Sequence, residues 1–266
     1  PDIDIIAIHG LDTNSEKTWT WRGNGRKVNW LADPDMLPSR VERVRIFTYD
    51  WPADLLQPSD LVQKTQDEFA VLLFEEIRSR IQSDPARSED RPILFIASCL
   101  GGIVLMKAFV GAGSAYQSVR RATRGIVFLA TPFRGTSCQD VAAFAEPGLN
   151  TWAWIRGQEV VKLLTIVKEP TLDLVRLVQD FTSLCQDKDY PCQVATFYEK
   201  GKTSLPSKVF PWLPSKSVDS PLIDPNRKSL AFAEGAPFIV VFELARACPF
   251  LTAPSWNPSN PNLSLS

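Results

Sequence analysis

Ile93-Leu94-Phe95-Ile96-Ala97-Ser98-Cys99-Leu100-Gly101-Gly102-Ile103-Val104-Leu105-Met106 is the stretch whose reading decides the fold. Ile93 to Ile96 is a short continuous apolar run, as in a strand buried on both faces. From Gly101-Gly102 the run Ile103 to Phe109 reads as the opening of a helix. A strand that turns sharply into a helix presents the residue at its crest, here Cys99, on a strained bend above a sheet. The backbones crowd at such a bend, so small residues are needed two positions either side, and Ala97 and Gly101 meet that need. A helix N-terminus favours negative charge, which suits a thiolate and an oxyanion alike.

Composition bounds the rest. A chain of 266 residues with 44% hydrophobic content can bury a sizeable core as one domain. A net charge of −1 offers no electrostatic attraction to nucleic acid or an anionic membrane. No segment reaches the roughly 20 uncharged apolar residues of a membrane span, and no secretory signal opens the chain. The cysteines, Cys99, Cys138, Cys185, Cys192 and Cys248, are odd in number and irregularly spaced. They read as reduced thiols of a cytoplasmic protein rather than a disulfide framework. With one histidine there is no zinc-ligand spacing, and no cofactor is expected. The start at Pro1 suggests a fragment.

Strand and helix patterns alternate outward from the crest. Ile3 to Ile8, ending at His9-Gly10, reads as a central strand, and Val44 to Tyr49 as a second. Ser59 is the expected cap of a helix carrying an apolar stripe of Val62, Phe69, Leu72, Leu73, Ile77 and Ile81. Gly125 to Ala130 is another buried strand, closed by Thr131-Pro132. Helices are expected at about 137–146, 151–168 and 172–185, then a strand over Cys192 to Tyr198 ending at Glu199. Such alternation builds a mostly parallel α/β sheet with helices on both faces. Its functional groups collect at the carboxyl ends of the strands, where His9, Cys99, Pro132 and Glu199 fall.

Three motifs in order carry a resemblance: His9-Gly10-Leu11 with Thr18-Trp19-Thr20-Trp21, the Phe95-to-Lys107 bend, and Gly125 to Gly135. Together they resemble the fungal SesB-like esterase/lipase domain of the α/β-hydrolase superfamily, beside the GPI inositol-deacylase-like proteins, over roughly residues 2 to 215. That domain stands at the N-terminus of NOD-like receptors, ahead of NB-ARC and repeat domains, which are the partners the resemblance implies. The elbow cysteine, and Thr-Pro-Phe-Arg-Gly for Thr-Pro-His-Arg-Gly, resemble one branch of these domains. The domain boundary is set at 1–217, with a divergent tail over 218–266 that is read as truncated or mis-spliced. Within that tail Phe238 to Phe242 has the character of a strand.

The resemblance assigns roles by position. Cys99 is the nucleophile, against the alternative of a small apolar residue in a degenerate site. The N–H groups of Leu100 and Leu11 form the oxyanion hole, in the latter case from the His9-Gly10 loop. Glu199 is the acid, against a solvated loop glutamate, with Asp187 or Asp189 as substitutes. The base is missing: the chain has no histidine after Glu199, and His9 belongs to the oxyanion loop. Trp19, Trp21, Trp30 and Trp51 read as core and loop anchors rather than a base-stacking surface. Trp152, Trp154, Leu163 and Leu164 read as cover for the sheet or a lid, and Arg134 beside Gly135 as a tie between loops. Two function classes follow: an acyl hydrolase acting on an ester or lipid, impaired by the missing histidine, and a non-catalytic effector module of the same fold, which that absence favours.

Overall fold

A computed structural model describes residues 3–10, 13–41, 43–53, 56–58, 66–83, 91–131, 133, 158–160, 171–187, 192–198 and 239–243. Its centre is a six-stranded sheet in the order β10-β9-β7-β6-β1-β4. The strands are β1 (Ile3–Ile8), β4 (Val44–Tyr49), β6 (Ile93–Ser98), β7 (Thr123–Leu129), β9 (Gln193–Tyr198) and β10 (Ile239–Glu243). Every pairing in it is parallel. β10 lies inside the stretch read as a divergent tail, and it extends the sheet with Ile239 opposite Val194.

The strands alternate sides with period two, although both sides are apolar. Ile6, Ile8, Phe95, Ala97, Ile126, Phe128 and Val194 face one core. Ile5, Ala7, Ile96 and Leu129 face the other. Burial on both faces explains why these strands read as unbroken hydrophobic runs.

The larger core is covered by α3 (Gln66–Ser83), α4 (Leu100–Gly111), α5 (Gln117–Ala122) and α6 (Thr171–Cys185). Each fully buried Ile or Phe here contributes about 1.5–3 kcal/mol. The opposite face is covered by α1 (Ser15–Trp19), the hairpin of β2 (Thr20–Gly23) and β3 (Arg26–Asn29), and α2 (Leu37–Arg40), through Trp19, Leu31 and Leu37. Asn14 caps α1 by accepting the Lys17 N–H at 2.9 Å. The hairpin turns on Asn24 and Gly25, both with positive φ, the local chemistry of a tight two-residue turn.

Three expectations need correction. Leu72 is 39% exposed beside Val71, while Phe74 is buried. The inward face of α3 is Phe69, Ala70, Leu73, Phe74 and Ile77, and Leu72 lies a helical step of about 100° off it. The helix read over 151–168 contains instead a strand, β8 (Gln158–Val160), antiparallel to β5 (Leu56–Pro58). Its backbone hydrogen bonds are met by a segment about a hundred residues away, a partner that local periodicity does not reveal. Asp187 follows α6 at the amino-terminal end of β9, the opposite rim from Cys99, so it cannot serve as acid there. The helix at 137–146, the Ser59 cap with Val62, and Asp189 lie outside the described residues.

Candidate active site

Because the strands run parallel, their carboxyl ends share one rim. Ile8 is level with Tyr49 and Ala97, and Ser98 with Leu129, which is level with Phe197. The loops after β1, β4, β6 and β7 therefore start side by side, with His9-Gly10, Asp50-Trp51, Cys99 and Ala130-Thr131.

Cys99 stands at the crest between β6 and α4 with φ 51° and ψ −126°. A side chain in this region costs about 1–3 kcal/mol, which the surrounding structure must hold in place. Its N–H donates to the Leu129 carbonyl at 2.8 Å, and its carbonyl accepts the Gly102 N–H at 3.1 Å. Ala130 leaves the neighbouring strand with φ 52°, its N–H donating to Phe197 O at 2.7 Å. Two adjacent strands thus each end on a non-glycine residue with positive φ.

The glycines around the crest are there for space. A Cβ on Gly101 would strike the His9 carbonyl oxygen and lie 3.0 Å from Ile8 Cγ2. One on Gly102 would strike the Thr131 side chain. One on Gly10 would lie 2.8 Å from Cys99 Cβ and 3.7 Å from its Sγ. The β1 loop is therefore packed directly on Cys99, which is half-buried. Leu100 is the first residue of α4, so its N–H has no acceptor within the helix.

His9 is fully buried and gripped. Its Nδ1 lies 2.8 Å from Gly10 O. A carbonyl can only accept, so Nδ1 carries a proton. Its Nε2 accepts the Trp51 backbone N–H at 3.3 Å and lies 3.4 Å from Asp50 Oδ1. That carboxylate also accepts the Ser15 N–H at 2.8 Å. Both ring nitrogens are engaged, leaving neither to take a proton from Cys99. The part of Trp51 in this grip was not legible in the sequence, where it counted as one anchor among several tryptophans. The one signal was its place just after a strand end, in Tyr49-Asp50-Trp51.

His9, Gly10, Cys99 and Leu100 are thus brought together. Leu11, Glu199, Pro132, Arg134, Gly135, Trp152, Trp154, Leu163 and Leu164 lie outside the described residues. A cavity of about 310 Å³ between β1, β4 and α3 is lined by Asp4, Arg45, Phe47 and Glu76, not by Cys99. Its charges satisfy one another: Arg45 clasps Asp4 at 2.8 and 3.1 Å, and Arg80 approaches Glu76 at 3.5 Å. Among the described residues no group of three or more His, Cys, Asp or Glu could hold a metal ion. No described helix is long and apolar enough to cross a membrane.

No protein-family model matches the chain. It is 23% identical over 219 residues to protein SERAC1 of Bos taurus and 25% identical over 219 residues to that of Homo sapiens, covering 77% of this chain in each case. The chain spans 31% of the length of these curated relatives. Among solved structures it is similar to phospholipase PlaB from Legionella pneumophila, with a TM-score of 0.50 and 12% identity over 76% of this chain and 38% of that one. A parallel sheet, a strained crest between strand and helix, and this structural likeness establish that the chain has the α/β-hydrolase fold.

Proposed function

We propose that the protein is an acyl hydrolase in which Cys99 attacks an ester or lipid carbonyl. The observation that carries this reading is the conformation of Cys99: a non-glycine residue with φ 51° at the crest, its Cβ against Gly10. The thiolate sulfur bonds to the carbonyl carbon while the π pair moves onto oxygen. That oxyanion is taken by the N–H groups of Leu100 and Leu11. Its collapse expels the alkoxide, which is protonated by water. Water then cleaves the thioester and releases the carboxylic acid, and the hydroxide left from protonating the alkoxide takes the thiol proton to restore the thiolate. Glu199, the residue following β9, is the acid of this reading, since β9 ends on the same rim. The phospholipase among its structural neighbours supports an ester substrate.

The finer reading, a SesB-like domain partnered by NB-ARC and repeat domains, rests on the three sequence motifs. A cytoplasmic setting is supported by Cys185 and Cys192, which are not joined in a disulfide. One observation favours the non-catalytic alternative: the chain's single histidine is spent on holding a loop.

Mass-spectrometric mapping after p-nitrophenyl acetate treatment of the full chain separates the two. Acetylation at Cys99, absent from Cys99→Ser and accompanied by turnover, is expected. Cys185 and Cys192 are buried internal controls, and the Cys185 thiol is pushed upward by its hydrogen bond with Cys192 and by burial. Iodoacetamide alkylation of Cys99 without any ester acylation would leave the module reading standing.

A further inference from the structure

We infer that Trp51 is a positioning residue of the proposed oxyanion hole. This rests on the acyl-hydrolase reading, and it assigns a task to a side chain that the scheme leaves unused. Trp51 holds His9 in three ways. Its indole Nε1–H donates to the His9 carbonyl at 3.0 Å. Its backbone N–H donates to His9 Nε2 at 3.3 Å. Its ring stacks on the imidazole with centroids 5.6 Å apart and planes 13° from parallel.

These contacts act on two successive peptide units. The His9 carbonyl, held by the indole, is the oxygen that Gly101 of α4 approaches too closely to tolerate a Cβ. The stack and the Nε2 contact orient the ring so that Nδ1–H reaches the Gly10 carbonyl at 2.8 Å. Both carbonyls of the loop are therefore held, and its Gly10 is the residue that packs directly on Cys99. Trp51 is itself held in the core, 3% exposed and packed against Phe69 at 5.4 Å between ring centroids. The indole thus ties the loop after β1 to Phe69 of α3 before any substrate arrives.

The test is Trp51→Phe in the full chain, which keeps an aromatic ring and removes the N–H. Acylation of Cys99 by p-nitrophenyl acetate develops an oxyanion, whereas alkylation by iodoacetamide does not. Removing an oxyanion donor outright costs about 10²–10³ in rate, so loosening its support is expected to slow acylation about tenfold. Alkylation should stay within about twofold of wild type. Equal acylation rates, or an equal fall in both reactions, would overturn the assignment. Should Trp51→Phe not fold, 3-benzothienylalanine at position 51 replaces only the N–H with sulfur. The chain's single histidine gives a readout independent of activity. Its carbonyl ¹³C signal should shift upfield in the variant, and the following Gly10 amide should exchange with solvent faster. An unchanged carbonyl signal and exchange rate overturn the positioning role even if wild type proves unable to acylate, a result that by itself would sink only the hydrolase reading.

Discussion

Gly101→Ala probes a close approach to backbone at the crest. The added methyl would meet the His9 carbonyl oxygen, Ile8 Cγ2 at 3.0 Å and Ile8 O at 3.1 Å. Two of these atoms are backbone: Ile8 O ends β1, a strand hydrogen-bonded on both sides by β4 and β6, and His9 O is held by the Trp51 indole, so they cannot step aside. α4 must lift instead, and that helix buries nine residues from Leu100 to Phe109. Overpacking costs about 1–3 kcal/mol, and rigid backbone partners put this case at the upper end. Alanine returns at most about 1 kcal/mol of helix propensity. The net loss is about 2 kcal/mol, or about 4–8 °C in Tm for a domain of this size. Gly111→Ala is the control, since a Cβ there meets nothing within 4 Å. The same chemical change at the other end of α4 should raise Tm by about 1–3 °C. Paired thermal melts by circular dichroism decide the matter. A Gly101→Ala protein as stable as wild type would mean that α4 does not lie against β1 as closely as this crest requires.

Other perturbations follow from the same geometry. Cys99→Gly relieves the positive φ and should stabilise the fold by about 1 kcal/mol, seen as a higher denaturant midpoint, while ending acylation; a destabilised variant would show the crest to be unstrained. Burial, and then Glu76, pushes the Tyr49 hydroxyl up to about 12. A raised folded-state value means the contribution is complete below about pH 10 and is lost as pH rises through about 12. In alkaline unfolding Tyr49→Phe should therefore lose stability less steeply over that window. The difference should be about 1 kcal/mol after solvent screening, and parallel curves would refute it.

Much of the fold was legible because local chemistry and tertiary role coincide in its central strands. Ile3 to Ile8 and Ile93 to Ser98 are apolar on both faces, and only a doubly covered parallel sheet satisfies such runs. The crest was legible for the same reason, since Ala97, Cys99 and Gly101 encode a steric demand in three nearby residues. α3 was legible in outline only. Its period is sound, but which of Leu72 and Phe74 faces inward depends on the helix rotation chosen by its neighbours.

What the amino-acid order settled alone is the strands of the central sheet, the crest at Cys99 and the shortage of imidazoles, for these depend on spacing and residue type. Tertiary structure decided the rest: the pairing of Leu56–Pro58 with Gln158–Val160, the distance of Asp187 from the rim, and the grip of Trp51 on His9. Each is a contact between segments far apart in the chain, and no local period records which distant surface will supply a hydrogen-bond partner.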